Sequence, residues 1–307
     1  MKNGFNRFLS STAIAPFPTH ILTEQHSQPQ DSGGIIIKNC EFLNFRTGII
    51  QVIRHRAPKL SDDLLRLFNE SHPDYITRHI EERFLPDARK GYFQFGTLIR
   101  YRAKEGALAS RLGDHQESRI HEIFNSRSNF FEHANIGGTT LTNTKITGTD
   151  RQIVIETIVN DYCSCSSIGE FSLERGEALR DLETDPEKKP GAYVTYHLPT
   201  LKLALENYLR ESDYLSELKI LGRNVNYGDK DITWDVEQCF TYQPHRDALA
   251  IWLSITFIKS PSFKHEDEFR LLIVDPSGPG GLDDRAENFV IKESSSIAAS
   301  IVISGVY

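Results

Sequence analysis

The amino-acid sequence predicts an α+β protein, in which helices come early and strands are spread along the chain without a regular βαβ rhythm. Apolar residues at helical spacing between Leu198 and Arg210 predict an amphipathic helix. Runs of β-branched and apolar residues, such as Gln152–Ile158, alternate with loops rich in Gly, Thr and Asn and predict strands. No G-x-G-x-x-G follows a predicted strand and no G-x-x-x-x-G-K-[ST] occurs, which disfavours a doubly wound dinucleotide fold and a P-loop.

Composition and charge narrow the class of protein. The 307 residues, 39% of them hydrophobic and 25% charged, allow one large globular domain or two small ones. The longest apolar stretch, Ala248–Ile258, is shorter than the roughly 20 residues that cross a bilayer, and Pro16 and Pro18 interrupt the apolar stretch near the N-terminus. We therefore expect a cytoplasmic protein that does not enter a membrane, with reduced and mostly buried cysteines. Because the net charge is −7, nucleic acid would bind only through a local basic patch, such as the one between Arg100 and Arg127.

The chain is expected to have three parts. Residues 1–34 are rich in Ser, Thr, Gln, Pro and Gly and lack a periodic apolar face, which predicts a flexible lead-in. Residues 35–90 predict a helical and hairpin part, and residues 91–307 predict a catalytic α+β domain.

Turn and capping signals define the elements of the second part. A double glycine predicts a turn that leads into a strand at Ile35–Ile37, with Gly48–Ile53 as its hairpin partner. Ser61 and two aspartates precede apolar residues at helical spacing, which predicts a helix over 61–71. A second helix is expected from Pro73 to Arg83.

Aromatic and β-branched runs define most elements of the third part. The run Gly91–Leu98 has the aromatic density of a buried strand, and the mostly apolar stretch Ala248–Ile258 fits either a helix or a buried strand. The remaining predicted elements are, in order, the strands Gln152–Ile158, Tyr162–Ser166 and Ala192–Tyr196, the helix Leu198–Arg210, and the strands Leu215–Leu221, Glu268–Val274 and Ser300–Ser304.

The acidic segment from His265 to Arg270 is the strongest candidate for a functional site. Successive side chains on a strand point to opposite faces, so Glu266, Glu268 and Arg270 would share one face. Two neighbouring carboxylates and a guanidinium suit general-base or cation-stabilising chemistry. The alternative is a solvated, charged edge strand. The apolar run Leu271–Val274 favours a position at the mouth of a buried strand, where active sites are common.

Two further segments are candidate ligand contacts. The glycine in Phe95-Gly96-Thr97 allows a ligand to approach the backbone, although a bulge in a structural strand explains it equally well. Ser164 and Ser166 share one face of a strand of small residues. This composition predicts close packing, either against a ligand or against another backbone.

Taken in order, these segments resemble a bacterial family named domain of unknown function 2971, over the range from about Tyr92 to the C-terminus. Members carry an early aromatic strand, a Gly/Asn-Asp-x-x-Glu turn, a Phe/Cys-Ser strand and a late Lys-x-x-x-Phe-x-x-Glu-x-Glu-x-Arg strand. The last of these is the most specific part of the resemblance. The matching residues here are Gly113-Asp114 with Glu117, Cys163 to Ser166, and Lys259, Phe263, Glu266, Glu268 and Arg270.

The same order of segments resembles the ADP-ribosyltransferase fold. In that fold one strand carries Arg or His-Gly-Thr, a second carries Ser-x-Ser, and a later one carries Glu-x-Glu. Phe95-Gly96-Thr97, Ser164-Cys165-Ser166 and Glu266-Asp267-Glu268 take these positions in the same order. The resemblance implies an ADP-ribosyltransferase-like split, mixed or antiparallel β-sheet core with flanking helices.

This resemblance also implies a function, the transfer of ADP-ribose from NAD to a macromolecular acceptor, either protein or nucleic acid. The protein would then be a toxin or phage-defence effector, with an antitoxin or another complex partner. Glu268 would stabilise the oxocarbenium cation, and Glu266 would orient the acceptor or take its proton. Ser164 and Ser166 would brace the nicotinamide, an arginine would neutralise the pyrophosphate, and no metal is required. The implied nucleotide-binding residues are Gln94, Phe95, Gly96, Thr97, Arg100, Arg102, Ser164, Ser166 and Arg270.

Two other functions remain open. A nuclease or phosphodiesterase would use Asp114, Glu117, Glu266 and Glu268 to bind Mg²⁺, since carboxylates are the ordinary ligands of that ion. Asp114 and Glu117 would equally serve to cap a helix beginning near Ser118. A non-enzymatic component of a defence complex would use the acidic strand only as an edge.

Overall fold

The computed structural model divides the chain into two compact units, each assembled from separate stretches of sequence. The first unit combines Met1–Ala57, Arg119–Ile158 and Lys230–Ile255, and the second combines Pro58–Ser118, Val159–Asp229 and Thr256–Tyr307. The predicted lead-in 1–34 and the predicted strand Ile35–Ile37 lie outside the residues that the structure describes. The described residues are 48–54, 59–68, 72–101, 117–126, 130–136, 139–145, 152–183, 186, 188–237, 239–242, 248–283 and 285–307.

Strands dominate this part of the chain. In order they are β1 (Gly48–Arg54), β2 (Tyr75–Ile80), β3 (Phe93–Thr97), β4 (Arg119–Ser126), β5 (Phe130–Ile136), β6 (Thr139–Lys145), β7 (Gln152–Ile158), β8 (Tyr162–Ile168), β9 (Ala192–His197), β10 (Lys219–Asn224), β11 (Asn226–Tyr227), β12 (Ile232–Val236), β13 (Cys239–Tyr242), β14 (Ile258–Lys259), β15 (Glu268–Val274), β16 (Phe289–Ile291) and β17 (Ile301–Val306).

The helices are fewer and mostly short. They are α1 (Asp62–Leu67), α2 (Leu85–Arg89), α3 (Leu98–Tyr101), α4 (Leu173–Leu182), α5 (Leu198–Arg210), α6 (Ala248–Phe257) and α7 (Ser295–Ala298), with 3₁₀ helices at Glu82–Phe84 and Pro261–Glu266. Strands and helices do not alternate regularly, so the predicted α+β class is confirmed. None of the helices in the described ranges is long and apolar enough to span a membrane.

The first unit contains a four-stranded sheet in the order β1-β7-β4-β12 and a three-stranded sheet in the order β13-β5-β6. Side chains on β7 alternate between the two faces, and Ile153 and Ile155 are buried with Phe124 of β4. The strand predicted at Gly48–Ile53 is confirmed as β1. Its described partner is β7, which runs parallel to it.

The second unit is built on an eight-stranded sheet with antiparallel pairing throughout. The main order is β10-β15-β8-β2-β9-β17. Strand β8 pairs with β15 along one edge. Its other edge is shared, because β2 pairs with the end of β8 near Ile168 and β3 pairs with the end near Tyr162. The sheet therefore divides at β8 into two arms.

One face of this sheet forms the hydrophobic core of the second unit. Helix α5 presents Leu201, Leu205 and Leu209 to the core at a spacing of four residues, as an amphipathic helix does. From β15, Phe269 and Leu271 enter the same cluster. The opposite face of β15 therefore carries Glu268, Arg270 and Leu272, and this face holds the candidate site.

Several predicted elements have different types or bounds in the structure. The helix expected from Pro73 to Arg83 is wrong, because Tyr75–Ile80 forms β2, in which Ile76 and Thr77 are buried between β8 and β9. The following helix begins only at Leu85, with a proline in its first turn. Pairing with two neighbouring strands outweighs the local helical pattern here.

Other boundaries shift without a change of fold class. The helix over 61–71 ends at Leu67, and the strand predicted at Leu215–Leu221 begins at Lys219 after a turn. Ala248–Phe257 is helical, which resolves the two alternatives for that stretch. The helix considered near Ser118 is absent, since β4 begins at Arg119.

Candidate functional site

The segment between Lys259 and Arg270 turns sharply, and this turn brings its charged residues together. Pro261–Glu266 forms a 3₁₀ helix, in which residues three apart lie one above the other, so Phe263 and Glu266 share a face. Asp267 then adopts a left-handed conformation with φ 45°, and β15 begins at Glu268. The strand geometry assumed for His265, Glu266 and Asp267 is therefore wrong, although Glu266 and Glu268 still meet.

Lys259 lies at the centre of this turn. Its ammonium donates to Oε2 of Glu266 at 2.6 Å and to Oε2 of Glu268 at 3.0 Å. The same ammonium lies 4.5 Å from the centre of the Phe263 ring, within the range of a cation–π contact. One buried cation thus joins the two carboxylates that the sequence singled out.

Arg270 extends the network deeper into the protein. Its Nε donates to Oε1 of Glu268 at 2.6 Å, and its two terminal nitrogens donate to the two carboxylate oxygens of Glu117, each at 2.8 Å. One of these nitrogens also donates to the carbonyl of Thr256. The Arg270 side chain is only 1% exposed, so these charge-assisted bonds are shielded from water.

The two carboxyl groups differ in their affinity for protons. Burial by itself raises the pKa of Glu268, but Arg270 and Lys259 outweigh burial and hold this pKa well below its usual range. Burial also raises the pKa of Glu266, there to about 7, although Lys259 opposes the shift. Near neutral pH, Glu268 is therefore ionised, whereas Glu266 exchanges its proton with the surroundings.

The pKa values of the two buried cations, Lys259 and Arg270, are both raised. Burial lowers the pKa of Lys259, but the charges of Glu268 and Glu266 outweigh burial and hold it above its usual range. Glu117 and Glu268 likewise outweigh the burial of Arg270 and raise its pKa. Both cations therefore stay charged at neutral pH.

Strand β8 supplies different residues to this face than the sequence predicted. Arg270 pairs with Cys165 in the ladder, and paired residues share a face, so Cys165 lies beside the network. Ser164 and Ser166 point to the opposite face, which is the core side of the sheet, where their hydroxyls are buried without a hydrogen-bond partner in the described part of the chain. Their predicted place beside Glu268 is wrong.

Strand β3 also presents its residues differently. Phe95 is fully buried in the core cluster, so it is not available to contact a nucleotide. The space beside Gly96 is occupied by the ring of Tyr101, which a Cβ on Gly96 would approach to 3.1 Å. The Tyr101 hydroxyl donates to the carbonyl of Cys163 at 3.3 Å. Gly96 thus allows close approach by a side chain of α3.

The remaining predicted contacts are scattered. Gln94 is exposed, and Thr97 is fully buried, with its hydroxyl unpaired in the described ranges. Arg100 donates to the side-chain oxygen of Asn288 at 2.9 Å. Arg102 lies outside the described residues. Of the predicted site residues, the structure brings together Glu266, Glu268 and Arg270.

Some residues of the network carried no predicted role. Lys259 was identified only as part of a resemblance, and Tyr227, 41 residues before Glu268, carried no signal at all. The Tyr227 hydroxyl accepts the backbone N–H of Glu268 at 2.8 Å, and β11 places it beside Lys259 of β14. This arrangement depends on the pairing of the two short strands β11 and β14, for which the sequence contains no local signal.

The contacts of the three carboxylates also determine whether they could bind a metal ion. Both carboxylate oxygens of Glu117 and both of Glu268 already accept hydrogen bonds from Arg270 or Lys259, so they are not available as ligands for a divalent ion. Across the described ranges no group of three or more His, Cys, Asp or Glu side chains is arranged to hold a metal ion. Asp114, proposed as a ligand, lies outside these ranges.

Comparisons with protein-family models, with curated proteins and with solved structures find no match for this chain. The defining feature of the candidate site is a buried network of two cations and three carboxylates, in which Glu266 is the most exposed member.

Proposed function

We propose that this protein is an NAD-dependent ADP-ribosyltransferase, in which Glu266 and Glu268 act on the bond between nicotinamide and ribose. The observation that carries the proposal is the pair of carboxyl groups held by one ammonium, at 2.6 Å and 3.0 Å, with their pKa values driven apart. Two carboxyl groups with separated pKa values are the usual arrangement for acid–base work at a glycosidic bond.

The two groups would have different roles. When the bond to nicotinamide breaks, its electron pair leaves with nicotinamide and the ribose carbon becomes an oxocarbenium cation, which the ionised Glu268 would stabilise. Glu266 would accept the proton that a hydroxyl or amine of the acceptor loses as it attacks the same carbon. The Glu266 side chain is 12% exposed and that of Glu268 only 3%, so an acceptor would reach Glu266 first.

The arrangement of strands is compatible with this proposal. The strands predicted to carry the three segments, β3, β8 and β15, belong to one sheet that divides at β8. The residues that would contact NAD, however, differ from those that the sequence predicted. Cys163, Cys165 and Ser167 would line the site in place of Ser164 and Ser166, and the partly exposed ring of Tyr101 would offer a stacking surface for an aromatic ring of NAD.

The acceptor is proposed to be a protein or a nucleic acid, with an antitoxin or another complex partner as regulator. This part of the proposal rests on the resemblance to the ADP-ribosyltransferase fold.

Release of nicotinamide from NAD tests the proposal. Glu266→Gln and Glu268→Gln should each slow release by about 10²-fold or more, comparable to the loss of one electrostatic stabiliser. Asp267→Asn is the matched control, because the Asp267 side chain is 52% exposed and its ion pair in the described part of the chain is with Arg175, at 3.5 Å. Thermal unfolding of each variant separates loss of chemistry from loss of fold.

The outcome that rejects the proposal is equally definite. Equal nicotinamide release from wild type and all three variants would show that neither Glu266 nor Glu268 takes part. A parallel assay with Mg²⁺ and RNA or DNA addresses the alternative, because cleavage of nucleic acid that Glu266→Gln abolishes would indicate a nuclease. Inactivity in both assays would favour a non-enzymatic component.

A further inference from the structure

The spacing of the segment from Lys259 to Arg270 has a simple geometric explanation. Phe263 and Glu266 are one 3₁₀ turn apart and both face the Lys259 ammonium, from 4.5 Å and 2.6 Å. The left-handed residue Asp267 reverses the chain, so that Glu268 returns to the same ammonium at 3.0 Å. The segment therefore encloses a single cation.

We propose that Lys259 is a positioning residue, which holds Glu266 beside Glu268 and controls the charge of the Glu266 carboxyl group. The role rests on the proposed function, because Lys259 would act on the reaction only through Glu266. Lys259 itself is 7% exposed at its side chain and is fully engaged by its three contacts.

The distribution of contacts explains why Glu266 depends on Lys259. Arg270 is already bound to both oxygens of Glu117 and to Oε1 of Glu268. In the described part of the chain, the ion pair of Glu266 is with Lys259. Without the Lys259 ammonium, Glu268 would still be paired with Arg270, whereas Glu266 would have no cation beside it.

The other charged and titratable groups around this carboxyl reinforce the dependence. Glu268 repels a negative charge on Glu266. Burial raises the pKa of Tyr227 on β11 to about 12, and the charges of Glu268 and Glu266 act in the same direction. Arg270 lowers the pKa of Lys259, and Glu117 raises it. Lys259 is thus the one favourable charge that directly contacts Glu266 among these groups.

Titration of Glu266 in three proteins tests the proposal. The ¹³C signals of labelled glutamate carboxyl groups are followed against pH in wild type, Lys259→Met and Lys259→Arg, and Glu266→Gln assigns the signal. Lys259→Met should move the Glu266 midpoint upward by about 1 pH unit or more, since an opposite charge at this distance shifts a carboxyl pKa by about 1–3 units. Lys259→Arg should stay near wild type. An unchanged midpoint in Lys259→Met would overturn the proposal.

A second measurement covers the case in which Lys259→Met fails to fold. In ¹⁵N-lysine-labelled protein, hydrogen exchange of the Lys259 ammonium is compared between wild type and Glu266→Gln, a variant at the most exposed position of the network. The bond to Glu266 should protect the ammonium, so exchange should be at least about tenfold faster in the variant, the factor that a loss of about 1.4 kcal/mol produces. Equal exchange rates would overturn the proposal.

Neither measurement uses NAD, so failure of the two proposals can be told apart. A shifted Glu266 midpoint without nicotinamide release would reject the proposed reaction and keep the role of Lys259. Nicotinamide release that depends on Glu266, with an unshifted midpoint, would reject the role of Lys259 alone.

Discussion

At the scale of single residues, Arg270 makes the most hydrogen bonds in the network. It holds Glu117 through two parallel bonds and Glu268 through a third, and all three side chains are 3% exposed or less. A buried charge is tolerated only while its partners remain, because an unpaired charge in a poorly solvated site is costly. Removal of a single member of the network should therefore destabilise the second unit.

Arg270→Met should reduce the free energy of unfolding by about 3–5 kcal/mol, the cost of leaving buried carboxylates without their partner. Denaturant unfolding followed by far-UV circular dichroism measures this change. Arg83→Met is the control in the same unit, because Arg83 pairs with Glu81 at the surface and is 65% exposed. That variant should lose less than about 1 kcal/mol. Similar losses in both variants would contradict the structural role of Arg270.

At the scale of elements, strand β8 shows how one strand serves two purposes. Cys163, Cys165 and Ser167 face the charged network, whereas Ser164 and Ser166 face the hydrophobic core. The period of two along a strand makes this division unavoidable, whatever the composition of the strand. The small size of these residues suits close packing on both faces.

Ser164→Ala should leave the free energy of unfolding unchanged or raise it by up to about 1 kcal/mol, because it removes a buried hydroxyl that has no hydrogen-bond partner among the described residues. It should also leave nicotinamide release unchanged, if the protein cleaves NAD. Thr77→Val on the neighbouring strand is the control. Its hydroxyl donates to the Gly169 carbonyl at 2.8 Å, so its loss should cost about 1 kcal/mol or more. A large loss of stability in Ser164→Ala would show that its hydroxyl is bonded.

At the scale of the whole molecule, the chain forms two units that each draw on distant parts of the sequence. Both tryptophans of the chain, Trp234 and Trp252, belong to the first unit, so their fluorescence reports its unfolding. This unit has its own ionic cluster, formed by His121 of β4, Glu156 of β7 and Asp231. His121 lies between Asp231 at 3.2 Å and Glu156 at 3.6 Å.

The first unit should lose stability as the pH rises through about 9. Burial lowers the pKa of His121, but Asp231 and Glu156 outweigh burial and raise it from 6.5 to about 9. A raised pKa in the folded state means that the stabilisation is complete below pH 6.5 and is lost as the pH passes the folded value. The loss between pH 6.5 and pH 9 should not exceed about 3 kcal/mol.

Urea unfolding followed by tryptophan fluorescence at pH 6, 7.5 and 9.5 measures this dependence. His121→Gln is the matched control, because it keeps a hydrogen-bonding side chain that does not titrate. The pH dependence over this range should be weaker in the variant. The same slope in wild type and in His121→Gln would contradict the assignment to His121.

Much of the fold could be predicted from the sequence because its signals are local. The helix Leu198–Arg210 and the strands Gln152–Ile158 and Glu268–Val274 were predicted with the bounds that the structure has. Each of these segments contains, within its own residues, a hydrophobic period or a run of β-branched residues. The concentration of charge in Glu266, Glu268 and Arg270 was visible for the same reason.

Only the tertiary structure decided which residues meet. Arg270 and Glu117 are 153 residues apart, and their pairing depends on the fold of the whole second unit. A shift of one residue in strand register moves every side chain to the other face, so sequence alone could not place Cys165 rather than Ser164 beside Glu268. The sequence by itself determined the α+β class and the charged segment. The register of β8 and the turn at Asp267 determined which atoms lie within hydrogen-bonding distance, because contact depends on geometry between distant segments and not on local composition.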